Sequence, residues 1–196
     1  MRIKRGFDIS VSAAGLFILS PLLLILAICV KVSSPGTVLY RGKRVGQYGH
    51  EFEILKFRSM FIDADKIGPA VTGAGDKRIT TVGRLLRRTK LDELPQLWNV
   101  LIGEMSIVGP RPESPKYVAL YTSEQHNVLS VRPGITSPAS VQYRYEESML
   151  TGGDWEQKYI DEIMPHKLAI DLTYVHNSDI LCDIKILWQT LLILFH

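Results

Sequence analysis

Between Asp8 and Lys31 the sequence ISVSAAGLFILSPLLLILAICV carries no charged side chain over 22 residues, Ile9 to Val30. A bilayer core asks for about 20 apolar residues in a helix. A chain of 196 residues builds one ordinary domain, and such a domain has little room to bury a helix this long. The stretch also exceeds a typical signal-peptide core, and no small-residue cleavage pattern follows it. Membrane insertion is therefore the expectation, and it constrains everything after it.

The flanks and the midpoint bear on how the segment inserts. Arg2, Lys4 and Arg5 precede it, and Lys31, Arg41, Lys43 and Arg44 follow it. Basic residues favour the cytoplasmic side, so a simple span would force one basic flank outward. Ser20-Pro21 sits near the centre, where proline removes a backbone donor and clashes with the preceding turn. Both features are met if the helix enters, breaks at Ser20-Pro21 and returns to the same face. A spanning helix with a tolerated proline is the alternative. The expected division is a re-entrant membrane helix over 1–33 and a cytoplasmic domain over 34–196.

The net charge of +3 and a pI near 8.8 point to anionic partners without choosing among nucleic acid, lipid headgroups and phosphorylated metabolites. Cys29 and Cys182 form neither a disulfide framework nor a zinc site by spacing. After the turn at Ser34-Pro35-Gly36, TVLYRGKRVGQYGHEFEILKFRSM reads as a β-hairpin, with Phe52, Ile54, Lys56 and Arg58 on one face of its second arm. From Ile79 to Thr89 the period is helical: Arg84, Arg87 and Arg88 share a face, with Val82, Leu85 and Leu86 away from it. VGPRPESP and RPGITSP read as irregular loops, and residues from about Ser148 onward as helices. The closing run ILWQTLLILF is too short to span, and either lies along an interface or closes the core. The fold class is thus α/β: a small membrane-associated domain with a re-entrant helix, a short hairpin and several amphipathic or interfacial helices.

Asp92 and Glu93 stand side by side in the otherwise apolar KLDELPQLWNV. Thr89-Lys90-Leu91-Asp92 has the form of a capping box, and Pro95 limits helix on either side. Both acids then lie near a helix N-terminus, where the dipole favours carboxylates, and a continuous helix would add support from Arg88 four residues earlier. An ionised Asp92 suits a nucleophile, although such acids also merely satisfy helix starts. The cations shift the balance. Lys56, Arg58, Arg78, Arg84, Arg87 and Arg88 have no obvious partners, and Arg111 and Arg132 sit in Pro/Gly-rich loops. Arginine forks match phosphate oxygens bidentately, and stiff backbone lowers the ordering cost of gripping a ligand.

KFRSM, DKRITTVGRLLRRTKLDELPQLWNVLIGEMSIVGPRP and RPGIT resemble the core of the bacterial sugar transferases. These are monotopic phosphoglycosyl transferases, which move a sugar 1-phosphate from a nucleotide sugar to a polyprenyl phosphate. The resemblance implies that the adjacent acids are the catalytic dyad. Asp92 would attack the sugar-bearing phosphorus, form a covalent phosphosugar intermediate and release nucleoside monophosphate. Glu93 would support the acceptor step or the metal. Magnesium, with Asp92 as its ligand, would neutralise the diphosphate. Lys56, Arg58, Arg78, Arg84, Arg88, Arg111, Arg132 and Arg144 become candidate substrate contacts. The family's membrane element is a re-entrant helix broken at Ser-Pro, matching Ser20 and Pro21. A UDP-sugar, undecaprenyl phosphate and membrane lipids are the implied partners, with no nucleic acid, and homo-oligomerisation is compatible with the sequence. The implied location is the bacterial inner membrane, with catalysis on the cytoplasmic face, at the first membrane step of glycoconjugate biosynthesis.

The likeness thins after Thr136. The family pattern Gly-Leu-Ala-Gln-Val-x-Gly-Arg is here Ser137-Pro138-Ala139-Ser140-Val141-Gln142-Tyr143-Arg144, which keeps Arg144 but changes the residues around it. Two other functions fit parts of the sequence. A non-catalytic adaptor binding anionic lipid would not need Asp92-Glu93. A glycosyltransferase that leaves the phosphate behind would release nucleoside diphosphate.

Overall fold

In the computed structural model, which describes residues 2–68, 71–150 and 154–194, the uncharged segment is two helices. α1 (Arg2–Ile18) and α2 (Ser20–Ser33) are separated at Leu19, whose backbone leaves the helical range (φ −86°, ψ 1°), and the pair bends by 64°. Side-chain chemistry explains the break. Pro21 has no N–H, so the carbonyl of Phe17 loses the donor an unbroken helix would give it. The Ser20 hydroxyl donates to that carbonyl at 2.8 Å, and the ladder resumes as Leu23 N–H donates to Leu19 O. The break therefore lies one residue ahead of the expected Ser-Pro position. Among the described residues no single helix is long and apolar enough to cross a membrane.

The burial of this pair is inverted relative to a water-facing helix. Phe17, Ile18, Leu24, Ile25, Ile28 and Val32 are all more than half exposed, whereas Asp8 and Ser12 are buried. By packing, the chain groups into two compact units. The first comprises Met1–Gly42, Glu53–Gly68 and Gly75–Gly103, and the second Lys43–Phe52, Pro69–Ala74 and Glu104–His196.

The expected hairpin is present: β1 (Leu39–Val45) and β2 (Glu51–Phe57) reverse through Gln47–Gly49, where Tyr48 (φ 58°) and Gly49 (φ 81°) take left-handed backbone. Its base belongs to the first unit and its tip to the second. α3 (Ala64–Ile67) is a single turn. α4 (Thr81–Thr89) begins at Thr80, whose hydroxyl accepts from Gly83 N–H at 2.9 Å. Gly83 is required there, because a Cβ would overlap the backbone of Ser59. Only Val82, Gly83 and Leu86 form the inward strip of this short helix. Leu85, expected with Val82 and Leu86 on the side away from the arginines, is 62% exposed, about 100° around the helix from Leu86.

α5 (Gln96–Ile102) packs on α1: a Cβ at Gly15 would come within 3.2 Å of Leu97, and Arg5 donates to the carbonyls of Val100 (2.6 Å) and Leu101 (2.9 Å). Those are last-turn carbonyls with no intrahelical donor, so Arg5 caps the helix. Val30, Phe57 and Leu86 complete the small core of this unit with Leu23, Leu26 and Val82.

In the second unit β3 (Ser106–Val108) pairs in parallel with β4 (Gly134–Thr136), Ser106 opposite Gly134 and Val108 opposite Thr136. Part of the stretch expected to be an irregular loop, RPGITSP, is thus a strand. Three residues are too few for an alternating pattern to register. α6 (Pro115–Val118), α7 (Pro138–Gln142), α8 (Glu146–Met149) and α9 (Trp155–Lys158) are short. A π-helical turn at Tyr159–Ile163 leads into α10 (Met164–Asn177), and α11 (Ile180–Leu194) follows. Tyr117, Leu150, Tyr159, Met164 and Leu168 are the centre of the larger core. α11 helps close the core through the buried Ile186, while Leu181, Ile184, Trp188 and Leu191 stay exposed.

Candidate active site

The capping box expected at Thr89 does not form. Thr89 ends α4, and its hydroxyl donates backwards to the carbonyls of Leu85 (2.8 Å) and Leu86 (3.2 Å). Lys90 takes a left-handed conformation (φ 57°, ψ 14°) and its N–H closes the helix on Arg87 O. Leu91–Glu93 then make one 3₁₀ turn, and Pro95 leads into α5. The helix is therefore not continuous from Arg88 to Asp92, and Arg88 is exposed rather than set against the acid.

Both acids are buried, Asp92 at 5% and Glu93 at 8% exposure. Glu93 is met by Lys56, whose Nζ donates to Oε1 at 2.7 Å. The register of Lys56 is fixed by Asn99: its Oδ1 accepts from Leu55 N–H at 3.0 Å, and its Nδ2 donates to Glu53 O at 2.8 Å. Asp92 differs. Its Oδ1 is buried with no hydrogen-bond partner among the described residues. Burial pushes the Asp92 carboxyl above the ordinary carboxylate range, opposed first by the charge of Lys56 and then by Arg87 and Lys90, while Glu93 adds to the rise. The expectation that a helix start and Arg88 hold Asp92 ionised is replaced by this balance of burial against Lys56, Arg87 and Lys90.

Two of the cations assigned to substrate are committed elsewhere. Arg58 is buried and donates to Pro35 O (2.6 Å), Ser34 O (2.7 Å) and Ser34 Oγ (3.0 Å), clamping the turn after α2. Arg78 forks onto Asp76, with Nη2 2.7 Å from Oδ2, and donates to Ala64 O at 3.0 Å. That pairing holds the Asp76 carboxyl below its usual range despite burial. Arg84 and Arg88 lie exposed on α4. Within the first unit, then, the structure brings Lys56 to the acids and turns Arg58 and Arg78 away to structural duty.

Arg111, Arg132 and Arg144 belong to the second unit. The loops carrying the first two are stitched together: Gly109 N–H donates to Thr136 O at 2.9 Å and Gly134 N–H to Pro110 O at 2.9 Å. A Cβ at Gly109 would collide with Arg132 O, so glycine lets the loops meet. Both arginine side chains are half-buried, and Arg144 stacks 5.4 Å from the Tyr145 ring centroid.

Sequence reasoning missed the anchor beneath these loops. The buried carboxylate of Asp171 accepts from the backbone N–H of Arg111, from Ala139 N–H at 3.2 Å and from the Ser137 hydroxyl. Burial pushes its acid up to about 6. Ser137 also accepts from Ser140 N–H at 3.0 Å, so the departure from the family's glycine supplies an N-cap for α7. One turn before Asp171, the buried Lys167 donates to Glu146 at 2.6 Å and lies 4.0 Å from Glu113, which accepts from the Tyr159 hydroxyl. The i, i+4 spacing of Lys167 and Asp171 on a largely apolar helix was the available sign.

No three His, Cys, Asp or Glu side chains among the described residues are placed to hold a metal. One Asp92 carboxylate oxygen would suit another mode, in which Mg²⁺ takes one or two carboxylates and completes its shell with substrate phosphates, while the other oxygen stays open.

The full chain, residues 1–196, matches the family described as bacterial sugar transferase. It is 36% identical over 192 residues to a UDP-N-acetylgalactosamine-undecaprenyl-phosphate N-acetylgalactosaminephosphotransferase of Aeromonas hydrophila, covering 96% of this chain and 43% of that relative. It is 39% identical over 192 residues to a UDP-glucose:undecaprenyl-phosphate glucose-1-phosphate transferase of Caulobacter vibrioides, covering 95% and 67%. The exopolysaccharide production protein PSS of Rhizobium leguminosarum bv. phaseoli is 40% identical over 195 residues, covering 96% and 92%.

Proposed function

We propose that this chain, which belongs to the bacterial sugar transferase family, moves a sugar 1-phosphate from a UDP-sugar to undecaprenyl phosphate. The observation that carries this reading is the buried Asp92 with a free Oδ1, beside a Glu93 neutralised by Lys56. A buried acceptor without a donor is costly in a purely structural role, at about 1–3 kcal/mol. It is what an attacking carboxylate needs. The names of the relatives, which carry UDP-glucose, UDP-N-acetylgalactosamine and undecaprenyl phosphate, support the donor and acceptor classes.

In the first step an Asp92 oxygen bonds to the sugar-bearing phosphorus as the bond from that phosphorus to the nucleoside monophosphate breaks. UMP leaves. A phosphate oxygen of the lipid then attacks the same phosphorus, and Asp92 returns as the carboxylate. A carboxylate nucleophile divides one hard displacement into two. Lys56, paired with Glu93 at 2.7 Å, holds it in place for the acceptor step. Bound through Asp92, Mg²⁺ would supply charge neutralisation of the diphosphate. Arg84 and Arg88 of the first unit, and Arg111, Arg132 and Arg144 of the second, are each candidate contacts for phosphate oxygens, since arginine forks match them.

The bent helix pair is read as re-entrant. Basic residues flank both ends, the apolar exposure surrounds the bend, and Ser20 and Pro21 make the bend local. The functional division is then the membrane element over 1–33 and the catalytic domain over 34–196, on the cytoplasmic face of the bacterial inner membrane. The test is the released nucleotide. Purified protein with undecaprenyl phosphate, Mg²⁺ and a panel of UDP-sugars should release UMP with at least one donor. UDP as product would replace this reading with ordinary glycosyl transfer.

A further inference from the structure

Asp92 is not alone in lacking a partner. Gln96 is 1% exposed, and its Nε2 also has no hydrogen-bond partner among the described residues. The two share a helical path: Leu94 (φ −54°, ψ −36°) and Pro95 (φ −60°, ψ −19°) are both right-handed helical, so the 3₁₀ turn runs into α5 without interruption. Asp92 and Gln96 are thus about one helical turn apart along it, both buried. Asn99, three residues further, spends its own amide on β2. Asp92 and Gln96 instead hold one idle acceptor and one idle donor.

A buried amide without an acceptor costs about 1–3 kcal/mol, and native structures carry few such groups. A group that an idle donor and an idle nucleophile satisfy together has an electrophilic centre for the carboxylate and a hydrogen-bond acceptor attached to it. A phosphoryl group has both. Resting on the phosphosugar-transfer reading above, we propose that Gln96 is a catalytic residue whose amide N–H donates to a non-bridging oxygen of the phosphoryl group that Asp92 attacks and then carries. As the Asp92 oxygen–phosphorus bond forms and the bond to UMP breaks, negative charge concentrates on the non-bridging oxygens. A fixed donor stabilises that charge, and Gln96 neither gains nor loses a proton. Removing one preorganised donor of this kind from an acyl-transfer site slows the reaction by about 10²-fold or more.

Stability and reactivity separate this role from a structural one. Gln96→Met keeps the length and removes the idle donor, so the protein should melt at or above the wild-type temperature. Its single-turnover formation of a phosphosugar adduct, followed by intact-protein mass spectrometry with UDP-sugar and Mg²⁺, should fall at least tenfold. Gln96→Glu, which presents an anion to the phosphoryl oxygens, should be slower still. A Gln96→Met protein that forms adduct at the wild-type rate overturns the proposal, and so does one that melts well below wild type, since its amide then had a structural partner. Wild-type protein without any adduct removes the transfer reading and this inference together. A wild-type adduct matched by Gln96→Met removes this inference alone.

Discussion

Replacing Lys56 with Met tests whether the dyad is the low-dielectric pair described here. The Lys56 Nζ lies 2.7 Å from Glu93 Oε1, and the two side chains are 19% and 10% exposed. At an effective dielectric near 20 the attraction at that distance is about 6 kcal/mol, much of it offset by desolvation of both ions. Removing one partner of a buried pair typically costs about 3–5 kcal/mol, because the other charge is stranded; with Lys56 a fifth exposed, about 2–3 kcal/mol is expected here. An internal control is available on the hairpin, where Arg41 and Glu53 pair at 3.3 Å with side chains 63% and 56% exposed. Arg41→Met should cost no more than about 1 kcal/mol. Denaturant unfolding in micelles, read by tryptophan fluorescence, should show a lower midpoint for Lys56→Met at unchanged slope. Adding Glu93→Gln should recover most of the loss, since no charge is then stranded. A Lys56→Met protein as stable as Arg41→Met would refute the reasoning.

Arg58→Lys retains the charge but cannot serve three acceptors around Ser34 and Pro35, so it should lower stability by about 2 kcal/mol and leave KM for the nucleotide sugar near wild type. A raised KM at unchanged stability would return Arg58 to the substrate. Asp171 titrates at about 6 when folded against an ordinary 3.8. The folded chain therefore holds this proton more tightly, and the resulting stabilisation is full below the unfolded pKa and lost as pH rises through about 6. The linked loss is about 3 kcal/mol in all, with about 2 kcal/mol falling between pH 4.5 and 7.5. Asp171→Asn should flatten that part of the stability curve, and an unchanged slope would contradict the burial argument. Pro21→Ala restores the donor for Phe17 O and should straighten the helix pair. In a background without Cys29 and Cys182, cysteines near Lys4 and Lys43 should both resist an impermeant external label in wild type, and outside labelling of the N-terminal site alone would mean a spanning helix.

What could be seen in the sequence was whatever a few neighbouring residues decide. Pro21 lacks its donor wherever it sits in a helix, so the break was visible within one residue of Leu19. The hairpin followed from alternation, and the adjacency of Asp92 and Glu93 marked the buried acid pair. Long-range pairing was hidden. Arg58 reaches back 24 residues to Ser34, and Asp171 reaches Arg111 across β4 and the short helices α6 to α9. Neither distance leaves a periodic trace. Lys90 misled for a different reason: lysine seldom takes a left-handed conformation, so the turn ending α4 was invisible and Thr89 looked like a start rather than a stop. The short parallel pair of β3 and β4 escaped because its register is set by Gly109 and Gly134 meeting backbone to backbone.

The central claim is a nucleophilic Asp92, and the phosphosugar ester on that residue is its most direct test. Wild-type protein incubated with its UDP-sugar and Mg²⁺ but no undecaprenyl phosphate should gain the mass of one sugar phosphate, localised to Asp92 by peptide mapping and discharged when the lipid is added. Asp92→Asn, close in shape but without the anion, should show neither adduct nor turnover, while Glu93→Gln should still form the adduct and discharge it slowly. An adduct that persists in Asp92→Asn, or steady-state kinetics that require both substrates bound at once, would contradict the account.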